Sequence, residues 1–175
     1  MKIKMQKYVF KPYNNNFPDL FNKEKERIAA LIKAIAIEHV GSTAIPNLGG
    51  KGIIDIAIAI NKKDTNSVLS QLQSLGYEYR PIHSTPDRLF LRIDLPDTEE
   101  GIRRYHVHLT YTESNDWKEF IAFRDYLRSH PEEAQKYAEI KKKAATEANH
   151  DGEKYRKIKE PIFKKINSLT KHKKS

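Results

Sequence analysis

One aspartate and a pair of histidines are the residues whose types and spacing could do chemistry in this chain of 175 residues. Asp55 lies inside an apolar run at residues 53–60, where a carboxylate costs desolvation energy unless it is paired or binds a metal ion. His106 and His108 are two positions apart, so on a strand both imidazoles face the same way and can share a metal ion or a phosphate. The structural alternatives are an ion pair from Asp55 to Lys51 or to an arginine, and a strand face whose histidines are simply hydrogen-bonded.

A glycine-rich segment precedes Asp55 and could hold phosphate groups. Residues 41–52 contain four of the seven glycines, and Gly41, Ser42 and Thr43 open the segment with backbone N–H groups and two hydroxyls. Such a turn can receive phosphate oxygens without hindrance from large side chains, and Lys51 would neutralise their charge. A plain turn without a ligand is the alternative. The glycine spacings of dinucleotide-binding and P-loop proteins are absent from the sequence.

Alternating apolar residues predict the strands that would position these groups. Isoleucines at every second position from 54 to 60 face one way and indicate a core, while Asp55 and two alanines face the other way. Residues 102–111 alternate in the same manner and place His106 and His108 on one face. Further strands are predicted at residues 36–40, 77–80 and 88–94. We therefore expect Asp55, the glycine-rich segment and the two histidines to converge on one concave site.

Apolar residues at helical spacing, together with capping residues, predict helices between and after these strands. Asp64 suits the N-cap of one helix and Gly76 its C′ position, while Pro131 suits the first turn of another. Pro161 would kink the last helix or begin a new turn. Helices are predicted at residues 18–35, between 64 and 76, at 116–129, from 131 to a turn at 149–152, and from that turn to about 170. The expected fold is α/β (α+β), an open sheet flanked by helices over about residues 1–111, followed by a helical appendage over about 112–170 and a basic tail at 171–175.

Composition indicates one domain without cysteine chemistry. The length suits a single domain with one sizeable core. The absence of cysteine excludes disulfides, cysteine-ligated zinc and cysteine nucleophiles. No apolar stretch approaches the ~18 residues that a membrane helix needs. The first residues also lack the pattern of a signal peptide. We therefore expect a cytoplasmic protein that does not enter a membrane.

The net charge of +9 is concentrated in the C-terminal segment. Residues 136–175 hold 13 Lys and Arg against 5 Asp and Glu, whereas the preceding residues hold 19 against 18. A solvated, lysine-rich helical face is one interpretation, and a nucleic-acid surface is the other. The segment therefore raises an RNA-associated function as an alternative without favouring it.

Three segments of the sequence carry distinctive motifs. The sequence IEHVGSTAIPNLGGKGIIDIAIAI at residues 37–60 contains Glu-His, Gly-Ser-Thr-Ala and Ile-Ile-Asp elements, residues 106–109 are HVHL, and residues 123–145 begin with FRDYLRSHP. Together these segments resemble the signature, the His-x-His strand and the FRDYLR-x-HP segment of the GrpB family of bacterial proteins. The resemblance covers nearly the whole chain, with the motifs in the family's order.

This resemblance implies a nucleotidyltransferase-like fold, with a mixed sheet flanked by helices, in a domain that some bacteria fuse to dephospho-CoA kinase. In proteins of that fold a Gly-Ser turn meets the triphosphate, and an aspartate on the next strand holds Mg²⁺. The matching positions in this chain are Gly41, Ser42 and Asp55.

The carboxylate set departs from that of active nucleotidyltransferases. Those proteins usually carry a second carboxylate two residues further on, where this chain has Ala57, and the His-x-His strand stands where a third carboxylate is expected. Mg²⁺ prefers several oxygen ligands, and two-metal phosphoryl chemistry requires them. Glu38, Asp94 or a substrate phosphate would have to complete the coordination of an ion held by Asp55.

The expected function is binding of a nucleotide or another phosphorylated small molecule and, in an enzyme, transfer of a nucleotidyl group with Mg²⁺. Ser42 would contact phosphate, Lys51 would neutralise it and Asp55 would ligate Mg²⁺. His106 or His108 would act as a base or as a metal ligand. The alternative is a binding or scaffolding domain with a catalytically degenerate site.

Arg124 is a further candidate for phosphate binding. It lies three residues after Ile121 and three before Leu127, so it falls on or beside the apolar face of its predicted helix. A guanidinium there is costly to desolvate unless a partner awaits it, and its planar fork suits a phosphate. A salt bridge to Glu38 or to another carboxylate is the structural alternative.

Overall fold

The computed structural model describes residues 9–149 and 151–172, which form five strands and five helices. The strands are β1 (Ala36–Val40), β2 (Ile54–Ala59), β3 (Glu78–Tyr79), β4 (Leu89–Asp97) and β5 (Gly101–Thr110). The helices are α1 (Phe17–Ala29), α2 (Thr65–Ser74), α3 (Asn115–Ser129), α4 (Pro131–Ala148) and α5 (Gly152–His172). The predicted mixed α/β class with a helical C-terminal part is confirmed.

The strands form one mixed sheet in the order β1-β2-β5-β4-β3. Strand β2 pairs with β5 in parallel, and the other three neighbouring pairs are antiparallel. The parallel register sets Asp55 beside His106 and Ala57 beside His108. Since alternate residues of a strand share a face, Asp55 and both histidines lie on the same side of the sheet.

The isoleucine face of β2 is buried, as its alternation predicts. Ile54, Ile56 and Ile58 are fully enclosed in a core that also contains Val107 and Leu109 of β5, together with apolar residues of α1 and α2. Each side chain of this size contributes roughly 1.5–3 kcal/mol when it is buried. The core therefore fixes which face of the sheet is left for the polar residues.

The C-terminal helices cover part of the polar face. Helix α3 contacts β1 and β2, and both α4 and α5 pack against α3. Ile45 and Leu48 of the glycine-rich segment share a second core with Phe123, Leu127 and Ile166 of these helices. The helical part is thus joined to the segment that precedes Asp55.

Helix α1 ends at Ala29 and not at residue 35, where its apolar periodicity predicts the end. The N–H of Ile35 donates to the carbonyl of Ala59 at 2.8 Å, so the chain must be extended before it enters β1. Leu31 and Ile35 are consequently exposed, whereas Ile32 is buried.

The C-terminal end also differs from the prediction. Helix α5 continues to His172, so Lys171 and His172 belong to a helix and not to the expected tail. Pro161 lies within α5 and does not end it. His150 of the predicted turn and residues 173–175 of the predicted tail lie outside the described residues. Over those described residues, no helix combines the length and the hydropathy that a membrane-spanning helix requires.

Candidate functional site

Asp55 and the two histidines of β5 meet on the polar face of the sheet. Oδ1 of Asp55 is 3.3 Å from Nδ1 of His106 and 3.2 Å from Nε2 of His108. The parallel pairing of β2 with β5 produces this arrangement, because it aligns Asp55 with one histidine and leaves the other two residues further on. In the described part of the chain, the ion-pair partners of Asp55 are these imidazoles rather than Lys51 or an arginine.

The two imidazoles keep Asp55 ionised. Although burial opposes ionisation, hydrogen bonds from His106 and His108 hold the pKa of Asp55 well below its usual range. Burial lowers the pKa of His108, and the nearby carboxylate offsets this only in part. The guanidinium of Arg88, which can only donate, faces Nδ1 of His108 at 3.5 Å, so neutral His108 carries its proton on Nε2 and donates it to Asp55.

A cavity of about 330 Å³, which we call the central cavity, lies between this face and the C-terminal helices. Its sheet side and loop side are lined by the predicted site residues Asp55, His106, His108, Gly41, Ser42 and Lys51. Helices α3, α4 and α5 contribute five rings to the lining, together with the carboxylates of Asp116 and Glu119. The rings are Phe120, Phe123, Tyr137, Tyr155 and Phe163. The structure therefore brings together the predicted site residues except Thr43 and Arg124.

Gly41 lets the loop pass directly over Asp55. Its φ of 73° and ψ of −172° form a combination that is essentially restricted to glycine. A Cβ atom at this position would lie only 2.6 Å from Oδ2 of Asp55. Gly41 is thus required both for the turn and for the close approach of the carboxylate.

Three lysine side chains line the central cavity: Lys51 from the glycine-rich segment, Lys141 from α4 and Lys159 from α5. Lys141 is 5% exposed, and burial together with the charges of Lys159 and Lys51 lowers its pKa to about 7. Burial and the charge of Lys159 lower the pKa of Lys51 to about 8, and burial also lowers the pKa of Lys159. The charge of Asp55 opposes all three shifts without cancelling them.

Two tyrosine rings contact these ammonium groups. Nζ of Lys141 lies 5.1 Å from the ring centroid of Tyr137. Nζ of Lys51 and Nζ of Lys159 lie 4.5 Å and 5.5 Å from the ring centroid of Tyr155. Cation–π contacts of this kind replace part of the hydration that the ammonium groups lose.

Gly50 makes room for two polar groups at the same point of the loop. A Cβ atom on Gly50 would lie 2.6 Å from Nζ of Lys141 and 2.8 Å from Oγ of Ser42. Both groups therefore border one small space beside the loop backbone, and a side chain at position 50 would fill it.

The lysine-rich C-terminal segment is not uniformly solvated, which corrects one interpretation of the sequence. Lys143 and Lys157 are 73% exposed, as a solvated face requires, but Lys141 is buried. One signal distinguishes them, since the pattern Tyr-x-x-x-Lys occurs at residues 137–141 and again at 155–159. Positions four apart share a helix face, so each pair can enter a cavity together.

Thr43 points away from the central cavity, contrary to its predicted contact with phosphate. It is buried, and its hydroxyl donates to the carbonyl of Ile53 at 3.0 Å. The same hydroxyl therefore accepts from Nε2 of His39, 2.9 Å away, which fixes the tautomer of that ring. Burial lowers the pKa of His39 to about 4, so the ring is neutral where it stacks on Phe21. Thr43 and His39 thus brace the loop from behind.

Arg124 also lies outside the central cavity and pairs with Glu38. Its Nη1 is 2.6 Å from Oε2 of Glu38 and donates to the carbonyl of His39 at 3.1 Å, while its Nε donates to Asp125. The packing of α3 on β1 directs the guanidinium to these partners, and its side chain is 10% exposed. The predicted phosphate contact is therefore replaced by the salt bridge that was its alternative.

The donor atoms around Asp55 do not fit a resident Mg²⁺ ion. This ion favours near-octahedral oxygen coordination, whereas Oδ1 of Asp55 is already contacted by two imidazoles. Glu38 is paired with Arg124, and Asp94 with Arg104 through two 2.8 Å hydrogen bonds, so neither completes the coordination. Among residues 9–149 and 151–172, no group of three or more His, Asp or Glu side chains is arranged to hold a metal ion.

The fold and the site define a class of proteins in which an aspartate and a His-x-His strand face a cavity closed by C-terminal helices. The model of the GrpB protein family matches residues 7–169. The crystal structure of conserved protein GrpB from Enterococcus faecalis superposes with a TM-score of 0.81 at 27% identity, covering 94% of this chain and 98% of that chain. The chain belongs to the GrpB family.

Two curated relatives carry the family-level name UPF0157. One, from Pseudomonas aeruginosa, is 34% identical over 158 residues, or 89% of this chain. Another, from Bacillus subtilis, is 35% identical over 140 residues, or 77% of this chain. The matched regions span 64% of the first relative and 39% of the second, so both proteins are longer than the part they share with this chain.

Gly41→Ala is expected to destabilise the protein and displace Asp55. The strained backbone alone should reduce the free energy of unfolding by about 1–3 kcal/mol, and the overlap with Oδ2 should add to this. Gly101→Ala is the matched control, because Gly101 has a φ of 74° and a Cβ atom there would meet nothing within 4 Å. Urea unfolding of both variants measures the difference, and equal losses would contradict the close approach.

Arg124→Lys is expected to lower stability without changing ligand affinity at the central cavity. Lysine keeps the charge but has only one donor nitrogen, so it cannot bond Asp125 as Nε does while Nη1 bonds Glu38 and the His39 carbonyl, and we expect a loss of about 1–2 kcal/mol. Arg80→Lys is the control, since the exposed pair of Arg80 with Glu78 should contribute little. Thermal unfolding and ligand titration separate the outcomes, and reduced affinity with unchanged stability would restore the phosphate role.

Proposed function

We propose that this GrpB-family protein binds a nucleotide or another phosphorylated small molecule in the central cavity, with the phosphate at Lys51, Lys141 and Lys159. The observation that carries the proposal is the convergence of these three ammonium groups from the loop, α4 and α5. Buried charges of like sign repel one another and lose hydration, so they lower the stability of the protein alone. An anionic group in the cavity would offset both effects.

The remaining walls suit the body of such a ligand. Phe120, Phe123 and Phe163 provide apolar and aromatic surface, and Ser42 provides a hydroxyl beside the lysines. The volume of about 330 Å³ is at the lower end of the range for small-molecule sites. A ligand with a phosphate end and a planar or apolar body therefore matches the cavity in size and in polarity.

The site supports binding better than it supports nucleotidyl transfer. Transfer with two metal ions needs several carboxylates, but Ala57 stands two residues after Asp55, and the residues beside it on β5 are histidines. Any Mg²⁺ would have to enter with the ligand's own phosphate oxygens. Equal binding with and without Mg²⁺ is the result that this arrangement favours.

Acid–base catalysis on the bound ligand is a second candidate function, and one observation favours it. Asp55 faces Nδ1 of His106 at 3.3 Å, so a neutral His106 that donates from Nδ1 keeps Nε2 as an acceptor, which is the usual arrangement of an imidazole that accepts a proton. Product analysis of the binding mixtures would detect such a reaction.

A ligand screen tests the proposed function directly. AMP, ATP, dephospho-CoA and inorganic pyrophosphate are each added with and without Mg²⁺, and both thermal unfolding and calorimetric titration are recorded. A ligand at 100 times its Kd stabilises the folded state by about 2.7 kcal/mol. For a chain of this length that corresponds to a rise in Tm of roughly 5–10 °C. No response to any of the four would contradict the proposal.

Lys141→Met is expected to weaken binding while stabilising the ligand-free protein. Methionine fills the same space without a buried charge, so the free energy of unfolding should rise by about 1–3 kcal/mol. The affinity for phosphate ligands should fall tenfold or more, because a charge-assisted contact is lost. Lys143→Met, on the exposed side of the same helix, is the control and should change neither quantity. Lower stability with unchanged affinity would show that Lys141 is only structural.

Affinity for a phosphomonoester such as AMP is expected to fall as the pH rises above about 7. The pKa values of Lys141 and Lys51, about 7 and about 8, place the loss of their charges in this range. Below pH ~6 the phosphate takes up its second proton, so the optimum should lie between these limits. Calorimetric titration from pH 6 to 9 measures the profile, and Lys141→Met should flatten it.

The stability of the ligand-free protein should rise with pH over the range in which affinity for the phosphate falls. The unfolded chain keeps these lysines protonated until about pH 10, whereas the folded chain releases the protons earlier. The unfolded state therefore binds more protons between pH ~7 and ~10, and the contribution of Lys141 to stability rises with pH over that interval. The free energy of unfolding of wild type should therefore rise more between pH ~7 and ~10 than that of Lys141→Met. Equal increases in the two proteins would contradict the lowered pKa of Lys141.

A further inference from the structure

A second and more open depression, which we call the sheet groove, runs across β4 and β5 beside the central cavity. It has a volume of about 710 Å³. Its lining includes Arg80, Arg88, Phe90, Arg92, Arg104 and His106. Lys141 does not line the sheet groove. Lys51, Lys159, His106, His108 and Phe120 line both depressions, so the two adjoin along a common wall.

Ring side chains form a row along the sheet groove. The ring centroid of Phe90 is 4.8 Å from that of His106, 5.4 Å from that of His108 and 5.8 Å from that of His83. The register explains the row, because Phe90 lies opposite His108 and Arg92 lies opposite His106 in the β4–β5 pair. Such a row offers surfaces on which planar bases can stack.

Guanidinium groups flank these rings with more positive charge than their partners neutralise. Arg80 and Arg92 share one carboxylate, Glu78, at 2.6 Å and 2.9 Å. Two positive charges therefore face one negative charge at this end of the sheet groove.

Two further arginines of the sheet groove are each paired with a single carboxylate. Arg104 contacts Asp94 at 2.8 Å, and Arg88 lies 3.4 Å from Asp116. The side chains of Asp94 and Glu78 are 41% and 52% exposed, so both carboxylates lie toward solvent. Glu78 is exposed and neutralises only one of its two arginines, so a phosphate can bind Arg80 or Arg92 there.

We infer that the sheet groove binds single-stranded nucleic acid, with its bases on the ring row and its phosphates on the arginines. A small anion would be held where cations converge, but here rings and guanidinium groups are spread along the groove. A duplex keeps its bases stacked on one another and cannot offer them to protein rings. The net charge of +9 lies mostly in residues 136–175, of which Arg156 and Lys159 line the sheet groove, and it attracts a polyanion and disfavours a second copy of the same chain. The inference does not rest on the ligand of the central cavity.

Fluorescence anisotropy with a labelled eight-nucleotide oligo(U), and with oligo(dT) of the same length, tests this inference. The full chain should bind the single strands at least tenfold more tightly than a duplex of equal length. With three or four phosphate contacts, affinity should fall about 20- to 50-fold between 50 and 200 mM salt. Comparison of oligo(U) with oligo(dT) shows whether the 2′-hydroxyl contributes.

Two variants assign the binding to the sheet groove. Phe90→Leu keeps an apolar side chain but removes the central ring, and should weaken binding at least about fivefold. Arg92→Gln removes one phosphate contact and should reduce the salt slope by about 0.7. Lys143→Gln is the charge-matched control on the exposed side of α4 and should stay within twofold of wild type. An unchanged Tm confirms that each variant is folded.

Lys141→Met separates this inference from the proposed function, because it should bind the phosphate ligand more weakly and keep the oligonucleotide. Absence of single-strand binding, or equal weakening by Lys143→Gln and Arg92→Gln, would overturn the inference. Concentration-dependent self-association in light scattering that is lost in Phe90→Leu would also overturn it, since a second copy would then cover the groove.

Discussion

The parallel pairing of β2 with β5 is the interaction on which the site depends. These strands are far apart in the chain, and their register alone brings Asp55 beside His106. A slip of one residue would turn every side chain of β2 to the opposite face and bury the carboxylate among isoleucines. The apolar core under the sheet opposes that slip, because it would remove Ile54, Ile56 and Ile58 from the core. The core thus specifies the polar site on the other face.

Electrostatic balance then links the two sides of the central cavity. Two imidazoles keep Asp55 negative, and its charge in turn moderates the repulsion among three ammonium groups. Two glycines let these charged groups approach the loop backbone closely. Gly41 leaves room for a carboxylate oxygen of Asp55, and Gly50 leaves room for the ammonium group of Lys141. Asp116 and Glu119 also line the cavity, but they pair with Arg88 and Lys171. Asp55 is the carboxylate that acts on the three lysines, and it offsets the lowering of their pKa values only in part.

Predictions from the sequence were most accurate for the faces of the strands, because alternation with a period of two residues is specific to a strand. Alternation with period two identified the strand faces, so Asp55 and both histidines could be grouped before their distances were known. Lys141 could not be recognised in this way, because its burial depends on how α5 packs on α4, and lysines at helical spacing usually face solvent. The same limit applies to Arg124, whose burial was predictable from its spacing, whereas its partner was decided by the packing of α3 on β1.

Tertiary hydrogen bonds account for a further difference between pattern and structure. Apolar periodicity continues past Ala29, yet the bond from Ile35 to Ala59 ends the helical path and begins the sheet. Local spacing carries no information on such a bond, since its acceptor lies on another strand.

Tyr155 joins the two parts of the chain through a single ring. It contacts Lys51 of the glycine-rich segment and Lys159 of its own helix, while Ile45 and Leu48 of the segment are enclosed by the C-terminal helices. The strands on either side of that segment belong to the sheet, so the segment cannot stay ordered if either part is lost. The sheet and the C-terminal helices are therefore coupled through this segment, and each contributes to the order of the other.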